Sequence, residues 1–172
     1  QYVNVDVRDA ELCPAYFMQA AEVKIEPSPL WMRRRLHSAG LRGINNIVDV
    51  TNYVLLEVGQ PMHAFDYKEI SDKTIVVRRA RKGETIIPLN EKEYELDENI
   101  LVIADKSRPV GLAGVMGGLN SGIKPDTSAV LLEAAEFNRE NIRRTSRRLG
   151  IRSDSSARFE KGVDSCTCLL YT

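Results

Sequence analysis

"AVLLEAAEF", residues 129–137, decides how the chain is read. Leu, Ala and Glu are good helix formers, so propensity alone makes this segment a helix. Its surroundings argue otherwise: it follows a succession of short apolar segments, and Asp126-Thr127-Ser128 before it is turn chemistry. We therefore expect a strand. At period two, Glu133 then shares a face with Leu131 and Ala135, while Leu132 and Ala134 point the other way. Apolar residues occupy both faces. Glu133 must face either solvent or a polar pocket, and if buried it needs a partner, of which a ligand hydroxyl is one kind.

Upstream, "TIVVRRA" (74–80), "ETIIPLN" (84–90), "EYEL" (93–96), "ILVIAD" (100–105) and "PVGLAGVMGG" (109–118) are short and apolar, with Gly, Pro, Asn and Asp between them. They read as strands. Further strands are expected in "YVNVDV" (2–7) and "YFMQAAEVKI" (16–25). Helices interrupt this pattern. "SPLWMRRRLHSAGL" (28–41) offers Ser28 as cap, Pro29 at the first helical position, apolar Leu30, Trp31, Leu36 and Ala39, and Gly40 as stop. "NNIVDVTNYVLLEVG" (45–59) places Ile47, Val50, Val54 and Leu55 at helical spacing. "NRENIRRTSRRLG" (138–150) starts at Asn138 and stops at Gly150, and "SDSSARFEKGVD" (153–164) is expected to close the fold in an extended conformation. The class is α+β: a mixed β-sheet or barrel-like core with helices packed outside.

Composition sets the outer limits. The 172 residues are 43% hydrophobic and 28% charged, enough for one domain with a substantial core. Lys plus Arg equals Asp plus Glu at 24 each, which argues against a protein that grips nucleic acid by bulk charge alone. Two local basic clusters nevertheless stand out, "WMRRRLHSAGLR" (31–42) and "NRENIRRTSRRLGIR" (138–152). Each is either a solvated face or a phosphate contact. Cys13, Cys166 and Cys168 make an odd count without a four-ligand zinc pattern, so neither a metal nor a disulfide framework is expected. No apolar run approaches membrane length, and the chain opens without an initiator Met inside an expected strand, so the expectation is a cytoplasmic piece of a longer protein.

Three features suggest a site. "GLAGVMGGLNSG" (111–122) carries five glycines yet matches neither the dinucleotide fingerprint nor the phosphate loop. It reads as tight turns, as a wall where a ligand approaches the main chain, or as both. "GQPMHAFD" (59–66) holds His63, one of two histidines, which alone would most often be a hydrogen-bonded structural residue. Glu133 is the third.

Taken together, "INNIVDVTNYVLLEVGQPMHAFD", "GLAGVMGG" and "LLEAAEFNRENIRRTSRRLGIRSDSSARFEKGVD" resemble the β subunit of bacterial phenylalanine–tRNA ligases. The resemblance runs in order from about residue 2 to Asp164 and falls on the editing domain, giving a domain at 1–164. It implies hydrolysis of tRNA mischarged with tyrosine. By that resemblance His63 and Ser153 are the catalytic candidates, with His63 near the ester and terminal adenosine. Glu133 recognises the tyrosine hydroxyl, Gly117 lines the pocket, and Thr51 and Asn52 lie near the adenosine. Relatives often carry Thr-Asp-Ala where this chain has Ser153-Asp154-Ser155, so Ser155 places a hydroxyl where a small apolar residue often lines the aryl pocket. No cofactor is implied for this domain, ATP and magnesium belonging to the full enzyme. The implied partners are the tyrosine-bearing tRNA 3′ end, the α subunit and the rest of the β subunit. The alternatives are a tRNA- or subunit-binding module that edits nothing, and a scaffold with a vestigial pocket. Residues 165–172, "SCTCLLYT", leave the family pattern. Codons for Cys168–Thr172 match a transposon end used in preparing sequencing libraries, and the tail is expected to be a cloning or sequencing artefact.

Overall fold

The computed structural model describes residues 2–163; the tail at 165–172, with Cys166 and Cys168, lies outside the described residues. Ten strands and four helices follow one another as β1 (Asn4–Val7), β2 (Ala15–Glu22), α1 (Leu30–Ser38), α2 (Asn46–Val58), β3 (Met62–Asp66), β4 (Thr74–Arg79), β5 (Thr85–Ile86), β6 (Tyr94–Glu95), β7 (Leu101–Ala104), β8 (Pro109–Leu112), β9 (Met116–Gly117), β10 (Ala129–Glu136), α3 (Arg139–Leu149) and α4 (Asp154–Phe159).

The strands form a five-stranded sheet in the order β1-β4-β7-β8-β9, a three-stranded sheet β2-β10-β3, and the small pair β5-β6. Only β1 and β4 pair in parallel; the other ladders among the described residues are antiparallel. The class is therefore α+β with mixed sheets. None of the sheets closes into a barrel, so the barrel-like alternative is corrected: β2 and β3 both remain edges of their sheet.

Segment 129–137 is a strand, as its context requires. It is the centre of the three-stranded sheet, paired along its whole length with β2 and over Val130–Ala134 with β3. Central placement explains why both of its faces are apolar. One face contributes Leu131 and Ala135, together with Phe65, Met18 and Ala20, to a hydrophobic cluster that also holds Ile75, Val77, Ile103 and Val110 of the larger sheet. Both sheets thus share one core.

Helices α2 and α3 begin on side-chain caps. Asn45 Oδ1 accepts from Val48 N, and Asn138 Oδ1 accepts from Glu140 N and Asn141 N. Gly59 and Gly150 end them. Three expectations need correction. Ser28 does not cap α1, because its hydroxyl donates instead to the buried Asp49 at 2.5 Å and Pro29 sits at the cap position. The buried residues of α1 are Met32 and Leu36, while Leu30 and Trp31 are exposed; on α2, Leu55 is buried and Val50 is exposed. The segment after Ser153 is a helix rather than extended. Ser153 Oγ accepts from Ser156 N and Ser156 Oγ accepts from Ser153 N, a reciprocal cap that starts α4 despite its serine-rich opening.

Candidate functional site

Strands β3 and β10 place His63 directly opposite Glu133, and β2 places Met18 on the other side of Glu133. Directly opposed residues project to the same face. Carboxylate and imidazole therefore lie on the face that forms the core. Here the larger sheet approaches through β9. A methyl group built on Gly117 would fall 2.3 Å from His63 Cε1 and 2.5 Å from Nε2, so the imidazole rests on bare backbone. No other residue fits at position 117 without moving the ring. Phe65 holds the ring from its own strand, edge to face at 4.5 Å.

A cavity of about 170 Å³ opens at this junction. Its walls include His63, Phe65, Gly117, Glu133, Ser155 and Phe159. The volume is below the roughly 300–1,000 Å³ of drug-sized ligand pockets and suits a group of side-chain size. Helix α4 forms one end of it. Ser153 Oγ donates to Val115 O at 2.6 Å and Ser155 Oγ donates to Gly114 O at 3.2 Å, tying the helix to the glycine-rich loop. Gly114 needs its positive φ of 65°, and a side chain there would meet Ile142 and Phe137 at 2.9 Å. The glycine run is thus both a tight turn and a wall.

A second cavity of about 700 Å³ adjoins the first and shares Met62, His63 and Leu89 with it; Thr51, Asn52, Val48 and Lys124 are also on its walls. The Thr51 hydroxyl is engaged by its own helix, donating to Val48 O at 2.8 Å. The structure therefore gathers His63, Gly117, Glu133 and Ser155 around one cavity and places Thr51 and Asn52 on its neighbour. Ser153 lines neither; its hydroxyl is used in the helix cap and the bond to Val115.

Residues 12–170 match the sequence profile of the B3/4 domain. The chain belongs to the B3/4 domain family. The phenylalanine–tRNA ligase β subunit of Carboxydothermus hydrogenoformans is 51% identical over 163 residues, covering 94% of this chain and 20% of that protein. The corresponding subunit of Bacillus licheniformis is 52% identical over 164 residues, covering 95% of this chain and 20% of that protein. This B3/4 domain thus spans about one fifth of the length of the curated relatives it matches. An N-terminal fragment of the phenylalanyl-tRNA synthetase β subunit from Pyrococcus horikoshii shares its fold, with a TM-score of 0.55 over 82% of this chain and 45% of that one, at 15% identity.

Burial dominates the electrostatics of this B3/4 domain's site. His63 Nε2 is buried and has no hydrogen-bond partner. Desolvation lowers the imidazole to about 4, so it is neutral at pH 7. Desolvation raises Glu133 to about 7, opposed by a hydrogen bond from Tyr16, whose hydroxyl lies 2.7 Å from Oε2. Tyr16 is itself raised well above its ordinary value, first by burial and then by the Glu133 charge. Neither Tyr16 nor Phe159 was marked by the sequence as part of a site. Period two along "YFMQAAE" puts Tyr16 on a face with Met18 and Ala20, but nothing local ties it to a carboxylate 117 residues away. Among the described residues there is no group of three or more His, Cys, Asp or Glu placed to hold a metal ion, and no helix long and apolar enough to cross a membrane.

Proposed function

We propose that this domain is the proofreading module of a phenylalanine–tRNA ligase β subunit and hydrolyses tyrosyl-tRNA specific for phenylalanine. One observation carries this reading: a buried carboxylate, Glu133, and an imidazole, His63, line one side-chain-sized cavity. The names of the relatives, phenylalanine–tRNA ligase β subunits, support a tRNA handled by that ligase as the partner. A synthetic site built for phenylalanine is apolar and cannot strongly exclude a molecule that merely adds a hydroxyl. A second site with a buried acceptor reads that hydroxyl directly, since phenylalanine would leave one carboxylate oxygen, Oε1, without a donor.

In this reading the tyrosine phenol donates to Glu133, and the tRNA-terminal nucleoside occupies the adjoining cavity beside Thr51 and Asn52. His63 stands at the junction and, being neutral, orients the ester or the attacking water by hydrogen bonding rather than by charge. Water adds to the ester carbonyl carbon, the bond to the ribose oxygen breaks, and that oxygen leaves with a proton, giving tyrosine and a free tRNA end. An aminoacyl ester is already activated, so positioning supplies much of what is needed. Ser153 acts by holding α4 and the glycine loop together. Amino-acid activation with ATP and magnesium belongs to the full cytoplasmic enzyme, with the α subunit and the rest of the β subunit as partners.

The test is deacylation of tyrosyl- and phenylalanyl-tRNA by the intact ligase with and without Glu133→Ala. A charge-assisted hydrogen bond contributes about 1.5–3 kcal/mol, so tyrosyl selectivity should fall roughly 10- to 160-fold. Unchanged tyrosyl hydrolysis in the variant would favour a module that binds tRNA or a subunit without editing.

A further inference from the structure

Among the described residues, the one hydroxyl that meets Glu133 is a tyrosine's, and it comes from the protein. Tyr16 stands at the start of β2, where it pairs with Ala135, two residues beyond Glu133 on the same face of β10. Its hydroxyl donates to Glu133 Oε2 at 2.7 Å. Among the described residues Oε1 has no protein donor, while Glu133 contributes to the wall of the cavity. The two oxygens are therefore inequivalent, one held by Tyr16 and the other without a donor among the described residues.

We propose that Tyr16 is a positioning residue for substrate selection: its phenol holds Glu133 by Oε2, so that Oε1 alone is offered to an incoming phenol. This rests on the proofreading reading for the identity of the ligand, though the Tyr16–Glu133 bond itself does not. The need for such a residue follows from the surroundings. Leu131, Ala135 and Met18 flank the carboxylate and give it no donor, and His63 opposite is neutral. A lone carboxyl in that setting takes up a proton and becomes a donor as readily as an acceptor, which blunts discrimination between a phenol and a bare ring. A hydroxyl held on one oxygen favours the ionised form and removes one rotational choice. The titratable groups around this carboxyl are few: Tyr16 from β2, His63 from β3, and Cys13, which acts on Tyr16. The remaining wall from β7, β8, β9 and α4, including Ile103, Leu112, Gly117 and Phe159, contributes no acid or base.

Tyr16→Phe removes one oxygen and keeps the ring, so packing is preserved. In the intact ligase, tyrosyl-over-phenylalanyl selectivity in deacylation should be followed from pH 6 to 9 for wild type and Tyr16→Phe, with Glu133→Gln as a variant that cannot titrate at this position. The wild-type midpoint should lie near 7, the value burial gives Glu133. In Tyr16→Phe it should move up by about 1 pH unit, so selectivity at pH 7 falls about fivefold and returns as the pH is raised. Glu133→Gln should show a flat profile. A loss of fold would lower both esters at every pH and would not return with alkali. Carbon NMR titration of the Glu133 carboxyl, in this chain with and without Tyr16→Phe, reads the bond without any substrate. The same midpoint in both proteins would overturn the proposal. An upward shift in the NMR titration, combined with no tyrosyl-ester hydrolysis by wild type, would overturn the proofreading reading and the ligand assigned to Oε1 while leaving Tyr16 as the residue that holds Glu133.

Discussion

The two larger sheets share one core but are built to different rules. In the five-stranded sheet, β7 is Leu-Val-Ile-Ala and is buried throughout, and β4 buries Ile75, Val76 and Val77 in succession. Its one buried charge, Arg78, lies on the face opposite Ile75 and Val77 and is fully answered: two parallel bonds at 2.9 and 2.7 Å join its guanidinium to Glu84. The three-stranded sheet does the reverse. It turns Glu133 and His63 into the core and leaves Nε2 of the histidine without a partner. An unanswered polar atom in a protein interior is destabilising unless something arrives to meet it. The contrast separates the sheet that holds the fold from the sheet that holds the candidate site.

Leu101→Ala probes the first sheet and should have the largest effect. Leu101 is 1% exposed, and truncating such a residue costs about 2–5 kcal/mol. Urea denaturation should show that loss at any pH between 5 and 8. An effect below about 1 kcal/mol would mean that the larger sheet is not the stabilising one.

Glu133→Gln probes the second sheet, and its effect depends on pH. Glu133 is raised from 4.5 to about 7 by burial, so the folded state holds its proton longer than the unfolded chain does. Wild type therefore loses stability as the pH rises from about 4.5 through 7. His63 is lowered from 6.5 to about 4, and its contribution runs the other way, with stability lost as the pH falls from 6.5 toward 4. Glu133→Gln abolishes only the first slope. Between pH 4.5 and 8 the gap should grow in the variant's favour by on the order of 3 kcal/mol. A constant gap across that range would show that Glu133 is not desolvated in solution.

Ser153→Ala should have the smallest effect. Loss of the α4 cap costs about 1 kcal/mol, with the bond to Val115 lost as well. If Ser153 acts only by holding the helix, calorimetry should show that modest loss while tyrosyl selectivity in the intact ligase stays within about twofold of wild type. A selective collapse of tyrosyl hydrolysis would restore Ser153 to a direct role.

How much of this was legible in the sequence follows the same division. The stabilising sheet announces itself, because "TIVV" and "LVIA" are apolar runs whose burial needs no knowledge of their neighbours. Strand β10 was legible through context, since its helix-forming residues sit behind a turn and after a run of strands. Glu133 was conspicuous for being a charge with apolar residues on both faces. Strand β3 was not legible: "MHAFD" has no clean alternation, and it becomes a strand only because β10 offers it an edge. Helix α4 was hidden by serines, which are weak in helix interiors and strong at caps, so a reciprocal Ser153–Ser156 cap looks like a loop until the hydroxyls are seen. Ser28 misled for the opposite reason. It stands where a cap should be, but its hydroxyl bonds to Asp49, 21 residues away. Tyr16 could not be found at all, since its partner is distant in sequence and an aromatic opening a strand is ordinary.

The meeting of Gly117 with His63 has a consequence for how this sequence can drift. Positions 63 and 117 divide a single volume between them, and the imidazole has taken all of it. Any lineage that gained even a methyl at 117 would have to move, shrink or surrender the ring at 63, and a lineage that lost the ring would be free to fill 117. The two positions are thus coupled by sterics, a glycine answering to a histidine 54 places earlier, and a side chain at 117 is expected only where the ring at 63 has given way.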